Sequence, residues 1–244
     1  MNSSIQKLEW DSNFFGVTIG RITAPELTET EIDPLLDSAR CAGFECLYFE
    51  ANPNDPRTVT AVERRNFQLV DVRVVLEHPF DDRPAPVPRY PIPADLLVTP
   101  PQNGDRAQLV DIAVQIGHTS RFAFDTRLAR RCADLYRVWI ENSCNGFADA
   151  VLVARWADPG EPAGLISCTL REGWGHIQLA GVAAAHRQRG VGTGLVQAAL
   201  DWTRAEGGHG MQVVTQARNV PAQRLYQQMG FFTRSMTLYY HKWL

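Results

Sequence analysis

Three glycines at alternate positions, Gly190, Gly192 and Gly194, stand in the run Arg187-Gln188-Arg189-Gly190-Val191-Gly192-Thr193-Gly194. Residues without a Cβ reach positive φ and let successive backbone N–H groups turn toward one anion close to the main chain. A helix opening at such a loop adds uncapped N–H donors and the positive end of its dipole. A phosphate or pyrophosphate is the guest this chemistry suits, and a ligand-free surface loop is the plain alternative. Spacing excludes two familiar phosphate loops. No Lys follows the glycines as in Gly-x-x-x-x-Gly-Lys-Ser/Thr, and there is no Gly-x-Gly-x-x-Gly early in a βαβ unit with an acidic residue about 20 positions on.

The elements around the loop must place it. Ile177 to Val182 reads as a buried strand, and Leu195 to Arg204 carries apolar residues at helical spacing. Strand, loop and helix therefore follow in order. Residues 81–105 hold seven prolines, so this stretch cannot sustain a helix or a central strand and reads as a linker or surface arm. It separates an N-terminal α/β domain, 1–80, from a C-terminal domain, 106–244. In the first, strands are expected at Ile5 to Trp10, Val17 to Thr23, Cys46 to Glu50 and Gln68 to Leu76, with helices at Glu31 to Cys41 and Pro56 to Arg65. Asp55 before Pro56 is a helix start of cap and first-turn proline. In the second, a strand is expected at Leu109 to Val114, a helix over Arg127 to Asn142, and strands at Ala148 to Trp156 and Gly164 to Leu170. A hairpin turn over Glu172-Gly173-Trp174-Gly175 leads into the strand before the loop. A strand at Met211 to Thr215, a helix at Asn219 to Met229 and a last strand over Phe232 to His241 follow.

Arg187, Gly190 and Gly192 fit Arg/Gln-x-x-Gly-x-Gly/Ala, which resembles the acetyl-CoA loop of the GNAT superfamily of N-acetyltransferases. Asn219-Val-Pro-Ala222-Gln-Arg-Leu225-Tyr226-Gln-Gln-Met-Gly230-Phe231 resembles that superfamily's second block, in the right order and about 30 residues on. The resemblance implies an α/β (α+β) fold with a mixed, mostly antiparallel sheet flanked by helices. It implies acetyl-CoA as co-substrate, with the Val182 main chain on pantetheine, Arg187, Gln188, Arg189, Gly190, Gly192, Thr193 and Gly194 around the pyrophosphate, and Asn219 reaching the cofactor from the next helix. Tyr226 falls where the family places the general acid. A phenol of ordinary pKa about 10 stays protonated at pH 7 and can supply a departing thiolate; a core tyrosine is the structural alternative. For the amine's proton the strand offers Gln178 where many relatives use Glu, leaving ordered water, His118 or His176.

Further residues resemble one branch, the dTDP-fucosamine acetyltransferases: Leu8-Glu-Trp10-Asp11-Ser-Asn-Phe14-Phe15-Gly16, then Ser120-Arg121-Phe122, then Tyr136-Arg-Val-Trp139-Ile140-Glu141-Asn142. That likeness spans nearly the whole chain and implies a nucleotide-linked amino sugar as acceptor. Arg121 could pair with a diphosphate and Phe122 or Phe124 could stack on thymine or a sugar face; core packing is the other reading of these aromatics. A peptide or small-metabolite amine, and a non-catalytic acyl-CoA sensor, stay as rival functions. Leu36 to Asp71 also echoes Leu200 to Ser235 at a constant offset, so the N-terminal domain reads either as a degenerate half-copy of the same fold or as chance patterning. Val62 stands where the later copy has Tyr226.

Composition bounds the rest. A chain of 244 residues with 45% hydrophobic and 21% charged residues suits a soluble protein, and a net charge of −3 gives no basic footprint for nucleic acid. Five cysteines without a Cys-x-x-Cys pair read as buried thiols in a reducing cytosol, with no metal site. No signal-peptide core or membrane-spanning run is seen, so a cytoplasmic location is expected. If copies pair, the last strand or the Arg127 helix would meet, and nothing selects between them.

Overall fold

The computed structural model describes residues 5–81, 86–158 and 160–244. Residues 1–4 of the expected N-terminal domain, 82–85 of the expected linker and Pro159 lie outside the described residues. The chain forms two compact units, Met1–Val74 with Met236–Leu244, and Val75–Ser235. The last nine residues thus belong with the first unit, whereas the sequence placed them with the second.

The first unit runs β1 (Ile5–Lys7), α1 (Glu9–Phe15), β2 (Ile19–Ile22), α2 (Glu29–Cys41), β3 (Cys46–Ala51), α3 (Pro56–Arg64) and the start of β4 (Gln68–Pro79). α2 starts at a capping box in which Thr28 and Glu31 satisfy each other's backbone N–H. α3 starts at Asp55, whose carboxylate accepts from the N–H groups of Arg57 and Thr58. Leu35, Leu36, Phe49, Val62 and Phe67 form the core between these helices and the sheet. One expectation fails here: the strand at Ile5 to Trp10 stops at Lys7, and Glu9–Phe15 is helical. Trp10 and Phe14 stack at 5.1 Å between ring centroids, one helical turn apart, and Gly16 ends the helix at φ 71°.

The second unit continues with β5 (Leu96–Thr99), α4 (Arg106–Ile116), α5 (Arg121–Phe124), α6 (Cys132–Asn142), β6 (Ala150–Trp156), β7 (Pro162–Arg171), β8 (Trp174–Val182), α7 (Val191–Ala205), β9 (Gly210–Gln216), α8 (Val220–Gln228) and β10 (Phe232–Trp243). Its strand order is β4-β9-β8-β7-β6-β5. β5 to β8 are antiparallel neighbours, and β8 pairs β9 in parallel. In the first unit, Leu238 to Trp243 of β10 pair antiparallel with β3, while β2 and β3 are parallel. The sheet is mixed and mostly antiparallel, with helices flanking it, as the fold class required.

Three readings are corrected in this unit. Leu109 to Val114 is inside α4: Leu109, Val110, Ile112 and Ala113 are the buried residues, a one-sided helical stripe that a short β-branched run mimics. The Arg127 to Asn142 helix breaks into a 3₁₀ turn at Ala129–Arg131 followed by α6. The proline-rich stretch carries β5, an edge strand paired with β6, a sheet position that tolerates nearby prolines. Of the five free thiols, Cys46, Cys132 and Cys168 are buried as expected, but Cys41 and Cys144 are exposed.

Candidate active site

β8 and β9 begin as partners and then part. Their register runs from Trp174↔Gly210 to Ile177↔Val213 and stops, although β8 continues to Val182 and β9 to Gln216. On its other side β8 stays paired with β7 as far as Gly164↔Val182. The edge of Gln178 to Val182 that faces β9 is therefore open, a strand edge to which an extended polar chain can bond. A β-bulge marks the fork: Cys168 faces Ile177 and Ser167 faces Leu179, so Gln178 is the extra residue. The Ser167 hydroxyl accepts from the Leu179 N–H at 3.2 Å, and Gln178 Nε2 donates to Thr169 Oγ1 at 3.1 Å.

The glycine loop follows directly. Arg187 Nε donates to the Val182 carbonyl at 3.1 Å, folding the chain back on the strand end. Gln188 has φ 59° and Gly190 φ 80°, a left-handed backbone that a non-glycine residue holds only where its surroundings impose it. Gly190 is the N-cap of α7, no side chain caps the helix, and its first turn contains no acid. The free N–H groups and helix dipole thus stay available to an anion. Arg189 lies over the Trp156 ring at 4.5 Å, and the Trp156 indole donates to His186 Nδ1 at 3.1 Å.

Two loop residues face elsewhere. Thr193 is 4% exposed and its hydroxyl donates to the Tyr90 carbonyl at 2.8 Å. A Cβ on Gly194 would come within 2.7 Å of Leu96, so this glycine admits β5. The arm around Tyr90 to Pro93 also crosses Gly190, whose missing Cβ makes room for the Pro91 carbonyl. The sequence read that stretch as a linker or surface arm without its contact to the glycine loop; contact between residues about 100 positions apart leaves no local signal.

α8 supplies the remaining groups. Asn219 Oδ1 caps it by accepting from the Ala222 N–H at 3.3 Å, which leaves the Asn219 NH₂ directed elsewhere. Tyr226 is 4% exposed, its ring 5.5 Å from that of Phe231. Burial, with Cys168 adding to it, pushes the phenol well above its ordinary pKa, so at neutral pH it keeps its proton. Beyond the fork, Thr119 Oγ1 donates to Gln216 Oε1 at 3.4 Å, tying the turn before α5 to the end of β9. Arg121 lies over the buried Phe122 ring at 4.1 Å, and Arg218 over the half-exposed Phe124 ring at 4.2 Å. Arg218 was not singled out in the sequence. The exposed His118 sits on the same turn, and His176 is half-buried in β8. Among the described residues no cluster could hold a metal ion and no helix is long and apolar enough to cross a membrane.

Residues 116–231 match the acetyltransferase (GNAT) family. Over 232 residues the chain is 28% identical to a dTDP-fucosamine acetyltransferase of Escherichia coli O6:H1, covering 94% of each protein. It is also 28% identical over 145 residues to the spore coat polysaccharide biosynthesis protein SpsD of Bacillus subtilis, covering 59% of this chain and 50% of that one. A GCN5-related N-acetyltransferase from Sphaerobacter thermophilus shares the fold at a TM-score of 0.65 and 16% identity, over 99% of this chain and 76% of that one.

Proposed function

We propose that this chain, whose residues 116–231 match the GNAT acetyltransferase family, moves an acetyl group from acetyl-CoA directly to the 4-amino group of a dTDP-linked amino-deoxysugar. The observation that carries this reading is the β8–β9 fork opening beside an uncapped helix N-terminus. Acetyl-CoA supplies a thioester, a flexible amide-bearing arm and a pyrophosphate, and the residues fit each part. The open edge at Gly181 and Val182 receives the arm, and the turned backbone of Arg187 to Gly192 receives the pyrophosphate. The Asn219 amide reaches toward the arm from α8. Tyr226 donates a proton to the departing sulfur.

The acceptor half rests on the similarity to a sugar-nucleotide acetyltransferase along nearly the whole chain and on the cationic and aromatic residues beyond the fork. Arg121 offers a planar fork of donors suited to a diphosphate, and Phe122 or Phe124 a ring face for thymine or sugar. The test is thiol release from acetyl-CoA with a panel of amines that includes dTDP-4-amino-4,6-dideoxygalactose. Turnover of that nucleotide sugar above all others supports the acceptor. Turnover of peptides or small-metabolite amines alone removes the sugar assignment, and tight acetyl-CoA binding without turnover on any amine makes the chain an acyl-CoA sensor.

A further inference from the structure

We propose that His176 is the general base of the reaction, taking the proton of the acceptor amine from the face of the sheet opposite Tyr226. This rests on the reading of the β8–β9 fork as the place where acetyl-CoA and the amine meet.

The faces can be read from the glycines. A Cβ on Gly164 would meet Leu195 and Val191 of α7, and one on Gly175 would run into Thr203 of α7, whereas one on Gly181 would meet Ile116 and Ile112 of α4. Side chains alternate along a strand, so Cys168, four residues beyond Gly164, lies on the α7 face, and Ile177 opposite it does too. Thr169 and its partner His176 then lie on the α4 face. The extra residue of the bulge joins them, because the Gln178 amide bonds Thr169. Tyr226 belongs to the other side: its helix α8 packs beside α7, where a Cβ on Gly192 would come within 3.0 Å of Leu225.

The register adds depth to this arrangement. β8 and β9 separate after Ile177, one residue past His176. A thioester seated in the fork therefore has a proton donor on the α7 face and His176, Thr169 and Gln178 on the α4 face. Of those three only the imidazole accepts a proton near neutral pH. Gln178 serves orientation: with Nε2 committed to Thr169, its carbonyl oxygen can accept an N–H from the amine. Burial lowers the His176 pKa, Arg171 acts in the same direction, Glu172 opposes them, and β9 presents the neutral Gln212 across the ladder. The imidazole is thus unprotonated at pH 7.

The protons balance. The ammonium form of the acceptor gives one proton to His176 across at most one water, and the imidazolium passes it to solvent. The freed lone pair bonds the acyl carbon and the C–S bond breaks. The thiolate takes the Tyr226 proton, and the second proton leaving nitrogen restores the phenol.

The test compares His176→Gln and His118→Gln with the unmodified protein in pH profiles of kcat/KM, beside acetyl-CoA binding by calorimetry. His176→Gln should lower kcat/KM about 100-fold, leave the acetyl-CoA Kd unchanged, and erase an acidic limb lying below about pH 6.5. Imidazole added to His176→Ala should restore part of the rate. A His176→Gln profile that keeps its acidic limb within about threefold of the parent rate would refute the assignment, as would a large loss confined to His118→Gln. Failure of the unmodified protein to acetylate any amine while binding acetyl-CoA would instead overturn the functional reading, and this base with it.

Discussion

In the proposed reaction the Tyr226 phenol has two demands to meet, to stay protonated in the resting site and to give its proton up when sulfur departs. Burial secures the first by raising its pKa, and the charge appearing on sulfur drives the second. Tyr226→Phe keeps the ring contact with Phe231 and removes only the proton. We expect kcat to fall by about 10²-fold or more, with an unchanged acetyl-CoA Kd; a loss smaller than about threefold in steady-state assays would make Tyr226 a core residue. Gly190 is held differently, by φ 80° and by the Pro91 carbonyl in the space of a Cβ. Gly190→Ala adds left-handed strain on the order of 1–3 kcal/mol and displaces the arm, so both urea stability and acetyl-CoA affinity should drop. At this scale the sequence was legible where spacing was local, as in the positive φ of Gly190 and the start of α8 at Asn219. Thr193 and Gly194 were not, because Tyr90 and Leu96 decide what they do.

Elements decide why only one of two similar helices is suited to an anion. α3 and β4, moved on by 164 residues, cover the same spans as α8 and β10, and α2 falls within α7. Yet α2 has Glu29 and Glu31 in its first turn and a box in which Glu31 accepts from the Thr28 N–H at 3.0 Å. Its donors are engaged and its field is offset, while α7 keeps both free. α3 and α8, each with a side-chain cap and a first-turn proline, were readable in sequence; α4 was not, since Asp105 before it makes no side-chain cap and its apolar run is β-branched. Asp105 instead forms a buried pair with Arg155 of β6, at 2.7 Å and with side chains 8% and 5% exposed. Burial alone would raise the Asp105 pKa, but bonds from Arg155 and the Gln102 N–H hold it below the ordinary value. A depressed carboxylate stabilises the fold above its unfolded pKa of about 3.9 and loses that contribution as pH falls through the lower folded value. Asp105→Asn leaves the buried guanidinium without its counter-charge and should cost about 3–5 kcal/mol near pH 7, read by urea denaturation. The cost should shrink toward pH 3, and a flat pH dependence would mean the pair adds nothing.

At the scale of the whole molecule, the order of strands and helices around the loop was legible, because strand, glycine loop, helix, strand and helix follow one another in sequence. The return of the last strand was not: no local pattern tells β10 that its partner lies almost 200 residues earlier. Yet Leu238 to Trp243 face Ala51 to Cys46 residue by residue. The Tyr240 hydroxyl donates to Glu63 at 3.0 Å, Lys242 Nζ donates to the Arg65 carbonyl at 2.7 Å, and the Leu244 N–H to the Glu45 carbonyl at 3.0 Å. Tyr240 is fully buried in the first unit's core. Removing 236–244 therefore strips β3 of a ladder on one side and opens that core, a loss no local rearrangement can replace because β2 already occupies the other side. The truncated chain should lose hydrogen-exchange protection at Leu47 to Ala51 by orders of magnitude and be cut by protease within the first unit, while amides of β7 and β8, paired only within the second unit, keep theirs. Unchanged protection at β3 would show that the first unit stands without its final strand.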